Sequence, residues 1–214
     1  MKIPGGRLVG ACLMFVASAT AAAAQSGQGE PKPRPDLVRE PYSQADIDFM
    51  TGMIPHHAQA VLIAGWAASH GANPQLRVLC ERQVVAQRDE IDFMRTWLRD
   101  RGLPVPDANA THHKHKMNGV EHDMLMPGML TPEELKQLDA ARGPEWDRLF
   151  LKFMIKHHEG ALKMVEDLLA SHGAAQDESV YLLAADIHAD QEIEIERMEK
   201  MLEEIEKKRV KGKE

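Results

Sequence analysis

Two histidine pairs carry most of the chemistry this sequence offers. His56 and His57 lie within Phe49-x3-Met53-Ile54-x-His56-His57-x2-Ala60. His157 and His158 lie within Phe150-x3-Met154-Ile155-x-His157-His158-x2-Ala161. The same apolar-Met-His-His pattern thus occurs twice, 101 residues apart, which points to two equivalent half-sites in an internally repeated domain. Imidazole and thioether together suit soft or borderline metal ions, copper first. On a helix, Met53 stands one turn before both His56 and His57, within reach of either, and Met154 has the same relation to His157 and His158. Consecutive helical residues point about 100° apart. One histidine of each pair can therefore face inward while the other lies at a helix–helix seam.

The repeat extends past the histidines. Ser69-His70-Gly71 recurs as Ser171-His172-Gly173, and Gln87-x2-Glu90-Ile91-x2-Met94 recurs as Gln191-x2-Glu194-Ile195-x2-Met198. Met94 and Met198 are candidates to complete each site from a partner helix. Gln87, Glu90, Gln191 and Glu194 are candidates to hold the histidines by hydrogen bonds. Two readings stay open here. The histidines are satisfied core groups, or a carboxylate fixes the tautomer of one while the other binds metal.

A second concentration of ligand types separates the repeats. Between His112 and Met129 fall four histidines (His112, His113, His115, His122) and four methionines (Met117, Met124, Met126, Met129). A His-rich tract in an exported chain has a metal-capturing composition. Its bland alternative is a solvated loop whose methionines dock on the core.

The elements that must position these groups read as helices. Ser43-x2-Asp46 is a capping pattern for the first, whose apolar stripe runs through Ile47, Met50, Ile54, Val61 and Ala64 to a stop at Gly71. Pro55, just before the histidines, predicts a kink there. Asn73-Pro74 caps a second helix with Cys80, Val84, Gln87, Ile91 and Met94 on one face. Thr131-Pro132-Glu133-Glu134 starts a short helix running to about Arg142. Gly143-Pro144 opens the second His-His helix, which ends near Gly173. The last helix carries Ala184, His188, Gln191, Ile195 and Met198 on one stripe. No segment reads as a strand. The expected fold is all-α: a four-helix bundle of two repeated hairpins, residues 43–102 and 143–207, joined by a connector at 103–142 with one short helix. A basic tail, 208–214, follows.

The amino end reads as a targeting segment. Lys2 and Arg7 precede an apolar run from Leu8 to Ala24, with Ala22-x-Ala24 as a cleavage signal before Gln25. Residues 1–24 are read as a signal peptide and 25–42, with Pro31, Pro33 and Pro35, as a flexible tether. A periplasmic or secreted protein follows, without a membrane span. Losing the signal removes Lys2 and Arg7 and no acid, moving the formal charge from −7 to −9. That balance speaks against nucleic acid as a partner. Cys80 is then the only cysteine, so no internal disulfide forms, and plain burial is its simplest role.

Enzyme signatures are missing. No Glu-x2-His of the di-iron bundles occurs, nor a His-Glu-x2-His zinc helix, a nucleophile triad or a phosphate loop.

The string Met53-Ile54-Pro55-His56-His57-x2-Ala60, the Gln87-x2-Glu90-Ile91-x2-Met94 helix and the Met126-Pro127-Gly128-Met129-Leu130-Thr131-Pro132 segment resemble the exported bacterial family known as domain of unknown function 305. The resemblance covers Tyr42 to Leu202. It implies a ferritin-like fold and binding of copper or silver ions outside the cytoplasm. Carried over by position, it implies Met53, His56, His57, Met154, His157 and His158 as ligands. Many members also carry Met six residues after the second histidine. Met164 fits, whereas the first copy has Ile63, and Lys156 replaces the proline in the second copy. The expected protein is non-enzymatic. It sequesters or transfers copper, Cu(I) ahead of Cu(II) or silver, with other transition metals admissible and a periplasmic metal-handling protein as partner. The alternative is a structural or interaction module whose histidines serve the core.

Overall fold

The computed structural model describes residues 41–211 except 112, 118 and 119, with side chains described outside 112–124. The signal peptide and residues 25–40 of the tether lie outside the described residues. Among the described residues there are five helices: α1 (Gln44–Ala64), α2 (Pro74–Asp100), α3 (Pro132–Ala140), α4 (Gly143–Ala170) and α5 (Glu178–Lys211). α1 packs along α2 and α4 along α5, and the two hairpins meet through α1 and α4. None of the described helices is long and apolar enough to cross a membrane.

Local chemistry sets the starts. Ser43 and Asp46 form a reciprocal capping box on α1, Asn73 accepts from the Leu76 N–H on α2, and Thr131 and Glu134 form a second capping box on α3. α1 runs unbroken through Pro55 and is buried on nearly all sides from Gly52 to Ala60. A helix enclosed by α2, α4 and the connector has no solvent face in that stretch.

Three expectations need correction. α1 stops at Ala64, not Gly71. Gly65 caps it, and the Trp66 and Ala67 N–H groups turn back to the Ile63 and Ala64 carbonyls, three residues earlier. The connector also contains strands, where none was expected. β1 (His113–Met117) pairs antiparallel with β2 (Val120–Met124), His115 opposite His122. The intervening sequence, Asn118-Gly119, is the dipeptide that two-residue hairpin loops favour. Finally, His188 does not share the buried stripe of α5. Ile187 takes the buried position, and His188 sits half-exposed within 3.3 Å of Glu192. α5 continues to Lys211, so the first residues of the basic tail are helical.

The core divides at the histidines. One apolar cluster holds Phe49, Met50, Met53, Met94, Trp97 and Val165. The other holds Ile63, Leu76, Cys80, Trp146, Phe150, Met154 and Met198. His56, His57, His157 and His158 lie between them and are fully buried.

The two ends of the bundle are tied reciprocally. Asp46 Oδ1 accepts from the Ala175 N–H at 2.7 Å, and Asp147 Oδ1 accepts from the Asn73 N–H at 3.2 Å. Each aspartate therefore holds the interhelical loop of the other repeat. At one of these ends, the Gly143 N–H also donates to the His70 carbonyl at 2.8 Å.

Candidate metal centre

α1 and α4 run antiparallel, and the repeat places their histidine pairs at the same level. His56 and His157 face each other across the helix pair, ring centroids 3.8 Å apart and planes tilted by 42°. Their chain neighbours splay outward: the ring centroids lie 6.1 Å apart in His56–His57 and 6.3 Å apart in His157–His158. This is the division into an inner and a seam histidine that helical geometry requires.

The outer rings meet carboxylates. His57 Nε2 lies 2.7 Å from Glu90 Oε2 on α2, and His158 Nε2 lies 2.7 Å from Glu194 Oε2 on α5. The second contact is an aligned hydrogen bond. The first is equally close but off line, so the His57 ring nitrogen keeps no aligned partner. Gln83 adds asymmetry. Its Nε2 donates to Glu194 Oε2 at 2.9 Å, whereas the corresponding residue of α5 is Ile187.

The inner rings are less satisfied. His56 Nε2 pairs with the Pro127 carbonyl at 3.0 Å, and its Nδ1 has no partner. Both ring nitrogens of His157 lack partners, as does Nδ1 of His57 and of His158. Buried polar atoms are normally bonded, so this concentration of free imidazole nitrogens is a departure that a ligand would resolve. Burial, with the neighbouring His57, pushes the His56 pKa down to about 3, against the Pro127 hydrogen bond. Burial and the other three histidines hold His157 well below the ordinary range. Both inner rings are neutral at pH 7 and present lone pairs, the form in which imidazole binds metal.

The methionines follow the same two-fold plan. Met53 and Met94 share one core cluster, Met154 and Met198 the other, and all four are fully buried. Met198 Sδ lies 3.9 Å from Gln83 Nε2. Among the described residues, no three His, Cys, Asp or Glu side chains already stand close enough to hold one ion in common. The donor set still fits a soft or borderline ion, with neutral imidazoles between two thioether layers. Gln83, Gln87, Glu90, Asp190, Gln191 and Glu194 line a cleft of about 250 Å³ behind the outer histidines. The side-chain oxygens of all three glutamines there are unpartnered. Burial, together with Glu90 and Glu194, raises the Asp190 pKa.

The connector supplies a strap that was not anticipated. Residues 126–130 cross α1 and α4 directly over the inner histidines. Gln59 on α1 donates to the Leu130 carbonyl at 3.1 Å and accepts from its N–H at 2.7 Å. On α4 the repeat-equivalent residue is Gly160, where an added Cβ would lie 2.0 Å from the Pro127 oxygen. Met129 is buried within the strap, its Sδ 3.3 Å from the Met126 N–H, and Met126 is half-buried. The side chains of His112, His113, His115, Met117, His122 and Met124 lie outside the described residues. Cys80 is buried in the second cluster, its thiol pushed up by burial and by Asp147, so it offers no thiolate. His70 is a structural histidine, stacked on Trp66 and bonded to Ser69 and Asp139.

Solved proteins share the fold. A solved DUF305 protein from Streptomyces coelicolor is 25% identical, with 75% of this chain and 93% of that one covered at a TM-score of 0.62. CopM, solved in a Cu(II)-bound form, is 28% identical over 74% of this chain and 96% of its own, at a TM-score of 0.57. It has also been solved in Cu(I)-bound and silver-bound forms. An uncharacterized protein of Acanthamoeba polyphaga mimivirus is 33% identical over 64 residues, which span only 42% of that relative's length. The family described as "Domain of unknown function (DUF305)" matches residues 46–202. With a duplicated Met-His-His helix, an all-helical bundle and that match over most of its length, this chain belongs to the DUF305 family.

Proposed function

We propose that this protein is an exported, non-enzymatic copper-binding protein that sequesters copper or passes it on, Cu(I) ahead of Cu(II) or silver. The observation that carries the reading is the His56–His157 pair: two buried, neutral rings 3.8 Å apart with unpartnered nitrogens. Met53, Met154, His57 and His158 are the remaining proposed ligands of the bundle, with Met94 and Met198 behind them. Glu90 and Glu194 orient the outer rings, as carboxylates behind metal-bound histidines do. The similarity to CopM, solved with copper and with silver, supports the same chemistry. The His/Met connector is a proposed capture segment, and the signal sequence makes the periplasm or exterior the proposed place of action.

The test is anaerobic titration with Cu(I) against a competing chelator. It compares the protein with a variant carrying His56→Ala, His57→Ala, His157→Ala and His158→Ala. Tight binding lost in a variant that remains helical supports the bundle centre. Undiminished affinity and stoichiometry in the variant move the site off the bundle histidines and toward the connector. Binding weaker than the chelator's in both sinks the copper reading.

The contacts of His57 and His158 with Glu90 and Glu194 favour one second reading, a structural module whose histidines serve the core. A ligand that binds only the native state raises Tm as its concentration rises. A structural module would show no copper-dependent shift.

A further inference from the structure

We infer that a second soft-metal site, built from thioethers alone, lies where Met126 of the strap meets Met164 of α4 above Gly52 of α1. The inference rests on the copper reading but concerns a different place and donor set. Gly52 reveals the convergence. A Cβ added there would lie 2.6 Å from Met126 Cε, 3.6 Å from Met126 Sδ and 3.5 Å from Met164 Cε. The two thioether ends thus gather over one point, and the missing side chain at Gly52 gives them the space.

The repeat shows that the fold itself does not require this. The equivalent of Gly52 in the second copy is Phe153, and the equivalent of Met164 in the first is Ile63. Ordinary packing on the other flank is achieved with a bulky ring and a branched aliphatic. Only this flank pairs a glycine with two methionines from different segments.

The surroundings suit a cation arriving from solvent. Met126, Met164, Phe49, Asp48, Asp167 and Ser171 line a cleft of about 260 Å³ on the surface. Asp48 is exposed, and Asp167 pairs with Lys163. Carboxylates at the rim raise the local concentration of cations without being soft ligands themselves. Thioethers select soft ions such as Cu(I) and Ag(I) over hard or divalent ones. Pro127, the residue after Met126, accepts from His56 Nε2 at 3.0 Å. The outer thioether pair is therefore one residue along the chain from a direct contact with the buried rings.

The test uses protein labelled with [methyl-13C]methionine and titrated with Ag(I), a diamagnetic stand-in for Cu(I). Signals are assigned through single Met→Leu variants, swaps that packed sites usually tolerate. The Met126 and Met164 methyls should shift together, in the protein and equally in the variant with all four bundle histidines changed to Ala. Met126→Leu with Met164→Leu should lower the Ag(I) stoichiometry by one ion. Gly52→Ala should abolish the joint shift by displacing Met126. Unmoved Met126 and Met164 signals, with Met53 and Met154 shifting, would overturn the second site and leave the bundle centre standing. Joint shifts that vanish in the histidine variant would overturn it too, because the site would not be separate. If no methionine methyl moves, the second site falls and any binding in the bundle is by the histidines alone, which the chelator competition decides separately. The methyl spectra of the unsubstituted protein decide even where a variant fails to fold.

Discussion

Asp46 and Asp147 occupy the same position in the two repeats, and each accepts the backbone N–H of the other repeat's interhelical loop, Ala175 and Asn73 respectively. Both carboxylates are buried, at 0% and 5% exposure. The clamp on Ala175 holds a non-glycine residue at φ +53, in the left-handed region that costs an L-residue roughly 1–2 kcal/mol. The duplicated sequence thereby locks its halves end to end, which fixes the level at which the histidine pairs meet.

Asp46→Ala removes this clamp and the α1 capping box together. Unfolding by urea should show a loss of about 1–3 kcal/mol, the cost of leaving buried donors unpaired. Ala175→Gly should act in the opposite direction by relieving the positive φ. If Asp46→Ala leaves the urea midpoint in place, the loop is held by something else.

The helices were legible because their signals are local. Ser43, Asn73 and Thr131 each precede a helix and cap it as their sequences predict. The inner and outer division of the histidine pairs also followed from the helical turn. The strap did not. Its contact with His56 is a backbone carbonyl, Pro127, and a carbonyl has no residue-type signature. Gln59 and Gly160 mark its crossing, but one acts by bonding and the other by lacking a side chain. Their common position in the repeats is visible only once the strap is seen. The β-hairpin had a signal, Asn118-Gly119, overshadowed by the histidines around it.

Gly160→Ala tests the strap. Alanine is the better helix former by about 1 kcal/mol, so an unobstructed site would be stabilised. Here the new methyl meets the Pro127 oxygen. The expected result is a net destabilisation of about 1–3 kcal/mol, as in overpacked sites, with faster hydrogen exchange at the Leu130 amide. A raised Tm would show that residues 126–130 do not lie on α4.

Acid should weaken the metal-free protein. Folding keeps His56 neutral down to a pKa of about 3, while the unfolded chain takes up a proton near 6.5. Between these values the unfolded state binds more protons, so stability rises with pH there. The contribution is therefore complete above pH 6.5 and is lost as pH falls toward 3. His157 is depressed in the same direction. Urea midpoints should drop steadily from pH 7 to pH 4, and a His56→Asn, His157→Asn variant should show a flatter profile. Equal slopes for the two proteins would mean that the inner rings are already protonated in the native state.

Methionine replacement separates the oxidation states. Met53→Leu with Met154→Leu keeps core volume, at a usual cost below about 1.5 kcal/mol per swap. It removes the thioethers beside the histidines and leaves the imidazoles. Cu(I) affinity should fall by about tenfold or more, roughly 1.4 kcal/mol, and Cu(II) affinity by less, because sulfur favours the softer ion. Unchanged Cu(I) affinity would remove Met53 and Met154 from the site.

The two glutamates should not be equivalent. Glu194 Oε2 takes hydrogen bonds from both His158 and Gln83, while Glu90 has no glutamine opposite it, Ile187 standing in that place. In Glu90→Gln, less is lost, because the His57–Glu90 contact is off line and His57 Nε2 has no aligned hydrogen bond to give up. In Glu194→Gln, the single oxygen that takes both bonds becomes a neutral amide acceptor and holds both donors more weakly than the carboxylate did. The His158 ring is then held less firmly in the tautomer that leaves Nδ1 free for an ion. Losing such a carboxylate typically costs about 10–100-fold in metal affinity. We expect Glu194→Gln to fall in that range and Glu90→Gln to fall below it, measured by competition for Cu(I) at pH 7. Equal losses would mean that the Gln83 contact does not constrain the second half-site. A larger loss in Glu90→Gln would reverse the assignment and make the first repeat the tighter half.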